Sequence, residues 1–238
     1  MNKIKSQLKM HYINSKLSFI IFWSIMLSIS VLGILISIFL RSRGYHGVIV
    51  TNNFIAVVVF GAISGLVAYN ETLPYMLNMG ITRKSFVFGF IAYNIILSIV
   101  LSILFALLTL LEGLVYNLLG FTSQQMDHLF FSAFSKGEIL ERVLLYFAIT
   151  LVATAFFTLV GSIYYKKGMM FLFGLGALIM LLMFIPGVPQ AVFEALKPMI
   201  LSLTGDKGYL LLMLYSMIFL LACYAIIYPL ARTSQIKR

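Results

Sequence analysis

Residues 71–85, ETLPYMLNMGITRKS, form a short polar and basic interruption between two long apolar runs. The flanking runs are Val48–Tyr69 and Phe86–Leu111, and each reaches the roughly 20 apolar residues that a helix needs to cross a bilayer. We therefore predict two membrane helices joined by a loop at one membrane face. Within that loop, Thr72 can cap a helix and Pro74 is tolerated in a first turn, which predicts a short surface helix. A plain polar connector fits the same residues.

The composition of the whole chain is typical of an α-helical membrane protein. Its 238 residues are 62% hydrophobic and 10% charged, whereas soluble domains average about 25% charged residues. We predict an all-α fold, a polytopic membrane protein with six transmembrane helices. The net charge of +10 does not indicate nucleic-acid binding, because the basic residues form no patch interleaved with aromatic residues. The single cysteine, Cys223, excludes an internal disulfide.

The apolar runs place the six-helix domain at residues 17–231. The predicted spans are Leu17–Leu40, Val48–Tyr69, Phe86–Leu111, Val143–Tyr165, Met169–Ile185 and Tyr209–Ala231. In the third span, Asn94 needs a polar partner on another helix or a wet cavity. Threonines at positions 150, 154 and 158 form one stripe of the fourth span. Gly61 and Gly65 form a GxxxG motif that lets another helix approach closely, as a packing or dimer contact.

The segments outside the spans carry their own patterns. Residues 1–16 predict a basic amphipathic helix at the membrane interface, although a flexible basic tail would also fit. Residues 112–142 predict an extracellular segment containing a short amphipathic helix around Met126–Phe134. Residues 186–208 are interrupted by Pro198, too short to cross and too apolar for a free loop, so we predict a re-entrant segment. Residues 232–238 form a basic tail.

The charge distribution predicts the topology. With six spans, one side of the membrane holds 11 of the 17 basic residues but only one acid, Glu71. Those 11 residues are Lys3, Lys5, Lys9, Lys16, Arg83, Lys84, Lys166, Lys167, Arg232, Lys237 and Arg238. The basic excess places this side, with both termini, in the cytoplasm. Arg41 and Arg43 fall on the opposite side, against this rule.

Catalytic and nucleotide-binding motifs are absent from the sequence. The three histidines, His11, His46 and His128, lie in separate polar segments and could not ligate one metal ion. No Gly-Lys dipeptide occurs, so the chain has no P-loop. The predicted spans contain no Asp, Glu, Lys or Arg, whereas an ion-driven carrier usually needs an intramembrane ionisable group. Any energy must therefore come through a partner at the cytoplasmic face.

Residues 77–86, LNMGITRKSF, resemble the loop between the second and third spans in permease subunits of ABC-2 type (type V) exporters. The shared pattern is Leu-x-x-Gly-(Ile/Val)-(Thr/Ser)-Arg-(Lys/Arg)-x-Phe. The flat N-terminal helix, the six spans and the re-entrant segment before the last span resemble this family over nearly the whole chain. Among its members, small Gram-positive permeases of peptide export and self-immunity are the most similar. The long 112–142 segment departs from the family pattern.

The resemblance implies a function and a set of partners. The chain would be a permease without cofactors of its own, paired with a second permease chain and two ATPase chains that bind ATP and Mg²⁺. Residues 71–85 would be the cytoplasmic coupling helix, with residues 1–16 as a second contact. The implied coupling residues are Glu71, Leu73, Pro74, Tyr75, Leu77, Gly80, Thr82, Arg83 and Lys84. The complex would export amphipathic or hydrophobic peptides, or similar toxic compounds, across a bacterial plasma membrane.

Two other classes of function remain open for these residues. A membrane scaffold or sensor without transport would share the same spans and loop. A membrane enzyme is disfavoured, because no acid–base pair lies at one depth in the predicted spans.

Overall fold

The computed structural model describes residues 3–45, 53–121, 139–185, 190, 194 and 208–233. The helices of this part are α1 (Lys3–Ser42), α2 (Phe54–Asn78), α3 (Arg83–Leu118), α4 (Ile139–Lys167), α5 (Met169–Met183) and α6 (Gly208–Thr233). Five of them are long and apolar enough to cross a membrane, and α5, with 15 residues, is shorter. The prediction of an all-α chain with several membrane-length helices is therefore confirmed for the described residues. The sixth crossing stays a prediction.

Contacts at both ends of the bundle fix the direction of α1 and α3. The His11 ring stacks on Tyr93 with 4.2 Å between ring centroids, and the Ser37 and Tyr116 hydroxyls are 3.4 Å apart. The two helices therefore run parallel and contact each other, and α2, which lies between them in the sequence, runs in the opposite direction. We call the end where α1 begins the near end, and the end where α1 finishes the far end.

The helices α4 and α6 also run parallel to each other, from the far end to the near end. At the near end, the Lys166 ammonium donates to the Thr233 hydroxyl at 2.5 Å. Gly168 turns the chain at the near end, and α6 begins at the far end. Between these two points the structure describes the 15 residues of α5 and a few positions after them. Apart from Gln190, Glu194 and Gly208, the predicted re-entrant segment 186–208 lies outside the described residues.

The N-terminal helix differs from the prediction. Residues 3–16 continue into the first span as one helix of 40 residues, about 60 Å long at 1.5 Å per residue. They do not form the separate interfacial helix that the basic pattern predicted for residues 1–16. Tertiary contact explains the continuity, because Gln7 and His11 are 1% and 3% exposed against α3. Their position relative to a membrane surface stays a prediction.

The third helix also extends further than its apolar run. It continues seven residues past Leu111 to Leu118, so Glu112 is a helical residue and is 7% exposed rather than part of a polar segment. The helix ends where Gly120 turns with a φ of +74°. There the Arg41 guanidinium donates to the Leu119 carbonyl and lies 4.9 Å from the centre of the Phe121 ring. The amphipathic helix predicted around Met126–Phe134 lies outside the described residues.

A set of buried polar side chains joins α3, α4 and α6. Asn94 donates from Nδ2 to the Thr158 hydroxyl at 2.9 Å and to the Tyr224 hydroxyl at 2.8 Å. Further along the same faces, hydroxyl pairs lie 3.3 Å apart. The whole set, which we call the polar ladder, is Asn94, Ser98, Ser102, Thr150, Thr154, Thr158 and Tyr224. Of the two environments predicted for Asn94, another helix or a wet cavity, the structure has the first, and Thr158 of the threonine stripe and Tyr224 are its partners.

The contact between α2 and α4 depends on glycines. A Cβ at Gly61 would lie 3.1 Å from the Thr154 methyl group, and one at Gly65 would lie 2.6 Å from the Thr154 carbonyl oxygen. From the other helix, a Cβ at Gly161 would lie 2.8 Å from the Leu66 carbonyl oxygen. We call these three glycines the small-residue seam. The predicted GxxxG motif therefore packs inside the chain, where Gly61 and Gly65 are buried and offer no dimer surface.

We predict that Asn94→Leu destabilises the bundle by about 1–3 kcal/mol. Interhelical hydrogen bonds in membranes average about 0.6 kcal/mol and reach about 1.7, and this change also leaves two buried hydroxyls short of a donor. The measurement is the denaturant midpoint of unfolding in detergent. Asn117→Leu on the exposed face of the same helix is the matched control and should leave the midpoint unchanged. Equal shifts for both variants would contradict the role of the ladder.

We predict that Gly65→Ala lowers the unfolding midpoint, whereas Gly113→Ala keeps or raises it. At Gly65 the new methyl group would force α2 and α4 apart, and such overpacking costs about 1–3 kcal/mol. At Gly113 no atom lies within 4 Å of the added Cβ, so only the better helix propensity of alanine remains. Thermal unfolding of the two variants in one detergent tests the difference. A loss of stability at Gly113 as large as that at Gly65 would refute it.

Candidate functional site

The predicted surface helix at residues 71–85 is not a separate element. Helix α2 continues from the membrane-length run through Glu71 to Asn78, with Pro74 inside the helix rather than in a first turn. The Thr72 hydroxyl donates back to the Ala68 carbonyl and caps no helix start. Buried side chains explain the continuity, because Leu73 and Met76 are 0% and 1% exposed and hold this turn against the bundle. That packing outweighs the backbone hydrogen bond that a proline removes.

The turn from α2 to α3 is a compact helix-to-helix connection. The Ile81 amide donates to the Met76 carbonyl at 3.1 Å and the Gly80 amide donates to the Leu77 carbonyl at 3.0 Å, which is a Schellman motif. Gly80 has a φ of +76°, a conformation that favours glycine. Thr82 then caps α3, because its hydroxyl accepts from the Ser85 amide at 3.3 Å. We call residues 71–85 the near-end tip.

The predicted coupling residues divide into a buried set and an exposed set. Leu73 belongs to the core, and Pro74, Leu77 and Arg83 are half-buried. The exposed predicted residues are Glu71, Tyr75, Gly80, Thr82 and Lys84. Asn78 and Met79 are also exposed, although the sequence did not single them out. The tip therefore presents a surface with an apolar part and a basic part, fixed to the core by the residues beneath it.

The two basic residues of the tip have different surroundings. The Arg83 guanidinium donates to the backbone carbonyl of Arg232 in the last turn of α6. A cation at this position also interacts favourably with the negative end of a helix dipole. Lys84 is exposed. Arg83 therefore joins α3 to α6 within the chain, and Lys84 is the better placed of the two for an outside partner.

A groove separates the first turns of α1 from the last turns of α2. It consists of two adjoining cavities of about 170 and 460 Å³, and Asn14 and Glu71 line both. The smaller cavity extends along α2 to Phe60, and the larger one reaches Met79. The lining of the larger cavity includes one cation, Lys9, and one anion, Glu71. We call this feature the α1–α2 groove.

Nothing in the described residues forms a metal centre. They contain no group of three His, Cys, Asp or Glu side chains that could hold a metal ion. His11 has a packing role, because its ring stacks on Tyr93 and meets the edge of Phe90 with 5.2 Å between centroids. The other two histidines, His46 and His128, lie outside the described residues.

Two contacts of the site were missed in the sequence. Gln7 packs directly against the Cα of Gly89, where any side chain on α3 would collide with the Gln7 amide. Gly161 completes the small-residue seam from the side of α4. Both glycines lie in apolar runs without a partner glycine four residues away, so no GxxxG pattern marks them.

We predict that Arg83→Gln loosens the last turn of α6, whereas Lys84→Gln does not. Loss of the guanidinium removes both the contact to the Arg232 carbonyl and the charge near the end of the helix dipole, which is worth about 0.3–1 kcal/mol. Hydrogen–deuterium exchange of the backbone amides at residues 228 and 230–233 measures the effect, since Pro229 has no amide hydrogen. Faster exchange in both variants, or in neither, would contradict the distinction between the two residues.

Comparison with protein-family models, curated proteins and solved structures finds no match for this chain. The near-end tip, the polar ladder and the α1–α2 groove are therefore the features from which its function has to be argued.

Proposed function

We propose that the chain is the membrane-spanning permease subunit of an ATP-driven exporter of the ABC-2 type. The observation that supports this proposal best is the near-end tip. Its outer side chains, Tyr75, Met79 and Lys84, are exposed, and its inner side chains, Leu73 and Met76, are buried in the core. Such a tip is suited to receive a force from a soluble partner and to pass it to the bundle. The partner would be an ATPase, because this chain has no P-loop.

The continuity of α2 gives the tip its mechanical link. Because α2 runs without a break from Phe54 to Asn78, a displacement of the tip moves a whole membrane-length helix. That helix lies on α4 through the small-residue seam, where the groups closest to the glycines are backbone and short side chains. By contrast, α3, α4 and α6 are joined by hydrogen bonds of the polar ladder. We infer that α2 is the moving element and that the other three helices form the frame.

The remaining parts of the proposal concern the assembly. Two ATPase chains and a second permease chain would complete the transporter, in the plasma membrane of a bacterium with both termini in the cytoplasm. The cargo would be amphipathic or hydrophobic, peptides above all, because residues 54–70, 86–111 and 143–165 carry no charge that could select an ion. A scaffold or sensor that does not transport is the alternative, and it needs no hydrolysis of ATP.

We predict that Tyr75→Ala combined with Lys84→Glu abolishes copurification of an ATPase with this chain from native membranes. The double variant removes the exposed ring and reverses the exposed charge, and it leaves the buried tip residues in place. Tyr45→Ala combined with Arg43→Glu, at exposed positions of the far end, is the matched control and should keep the ATPase bound. Copurified protein is identified by mass spectrometry and by its nucleotide hydrolysis.

The same experiment separates the two functions. Loss of the ATPase from the tip variant alone supports the permease. An ATPase retained by the tip variant, or no ATPase with the wild-type chain, would contradict it. If the ATPase binds but the export phenotype survives a hydrolysis-deficient ATPase, the scaffold or sensor is favoured instead.

A further inference from the structure

The α1–α2 groove has a length and a polarity that match one leaflet of a membrane. Glu71 and Phe60 lie 11 positions apart on α2, which is about 16 Å at 1.5 Å per residue. A bilayer's hydrocarbon core is about 30 Å thick, so this distance is close to the depth of one leaflet. At the tip the groove is lined by Tyr75 and Met79, which are both exposed. Its long axis therefore follows the direction of a lipid chain.

The lining of the groove carries its charged side chains at one end. Near the tip, Lys9 and Glu71 lie among apolar side chains such as Met79. Deeper in the bundle the lining has no charged side chain and combines apolar groups with hydroxyls, namely Phe60, Ile63 and Val67 with Ser15, Ser18 and Ser64. A glycerophospholipid likewise carries its charges at one end and its acyl chains at the other.

We propose that the α1–α2 groove is a binding site for a zwitterionic phospholipid with an ethanolamine headgroup. The ammonium group of the lipid pairs with the Glu71 carboxylate, and its phosphate pairs with the Lys9 ammonium. The serine and asparagine side chains face the glycerol esters, and one acyl chain lies along Phe60 and Val67. An anionic lipid without an ammonium group would leave Glu71 unpaired and would place a like charge beside it, so the groove selects against such lipids.

The chain carries its own reporter for this site. Trp23 is the single tryptophan of the sequence. Its ring centroid lies 5.6 Å from that of Phe22, which in turn stacks on Phe60 at 4.3 Å. Trp23 is therefore next to the deep end of the groove, where a brominated acyl chain quenches its fluorescence. The measurement requires no ATPase, so its outcome is independent of the proposed transport function.

The test uses the full chain in phosphatidylcholine vesicles that contain brominated phosphatidylethanolamine or brominated phosphatidylglycerol. We expect brominated phosphatidylethanolamine to quench Trp23 at about twofold lower concentration in the wild-type chain, the effect of one exposed ion pair. Glu71→Gln and Lys9→Gln should each reduce this preference. Lys16→Gln, exposed on α1 outside the groove, and Glu141→Gln, at the far end, are the matched controls and should keep it.

Three results would overturn the proposal. One is equal quenching by the two brominated lipids in the wild-type chain, which would leave the groove to another occupant such as a peptide segment. Another is stronger quenching by phosphatidylglycerol, which would mean an anionic ligand. The third is a headgroup preference that persists in both groove variants. Circular dichroism and gel filtration show whether each variant is still folded. A lost headgroup preference in a folded variant is then due to the groove.

Discussion

Polar side chains buried in an apolar bundle must find their partners inside it, and the rest of this structure depends on how that requirement is met. Asn94 is 0% exposed and bonds to hydroxyls on two other helices, so it joins α3, α4 and α6 at one level. The same requirement makes α2 different, because its contact with α4 is made by glycines. Within this part of the bundle, hydrogen bonds therefore join α3, α4 and α6, whereas close packing holds α2 against α4. This difference is the physical basis for assigning motion to α2.

The apolar runs were sufficient to predict which parts of the chain form helices, but not where the helices end. Hydropathy shows which residues can face lipid. The apolar runs therefore predicted that the second span ends at Tyr69 and the third at Leu111. In the structure these helices end at glycines with positive φ, Gly80 and Gly120, because there the backbone can reverse without strain. Packing of Leu73 extends the first of these helices beyond its apolar run. The length of an apolar run does not show such contacts, because they join parts of the chain that are distant in the sequence.

At the candidate site, too, the sequence pattern predicted the position of the turn but not the contacts of its side chains. The sequence pattern predicted a turn within residues 71–85, which the structure has between α2 and α3, but it treated Arg83 and Lys84 as equivalent. Only the position of α6, 149 residues further along the chain, distinguishes them, because Arg83 contacts the carbonyl of Arg232. The α1–α2 groove was not foreseen for a related reason. Its walls come from α1 and α2, and α1 is positioned by Gln7 fitting over Gly89 of a third helix, α3.

The spacing of the polar ladder affects how firmly the alignment of α3 with α4 is fixed. Its hydroxyls recur every four residues on both α3 and α4, and Ser102, Thr150 and Thr158 also bond to carbonyls one turn back in their own helices. A hydroxyl has a single hydrogen, so each serine or threonine can exchange one acceptor for another at little cost. If α3 slipped by one helical turn along α4, hydroxyl groups would therefore again lie opposite hydroxyl groups. Asn94 offers an amide where the other positions of the ladder on α3 offer hydroxyls, so it distinguishes the observed alignment from one shifted by a helical turn.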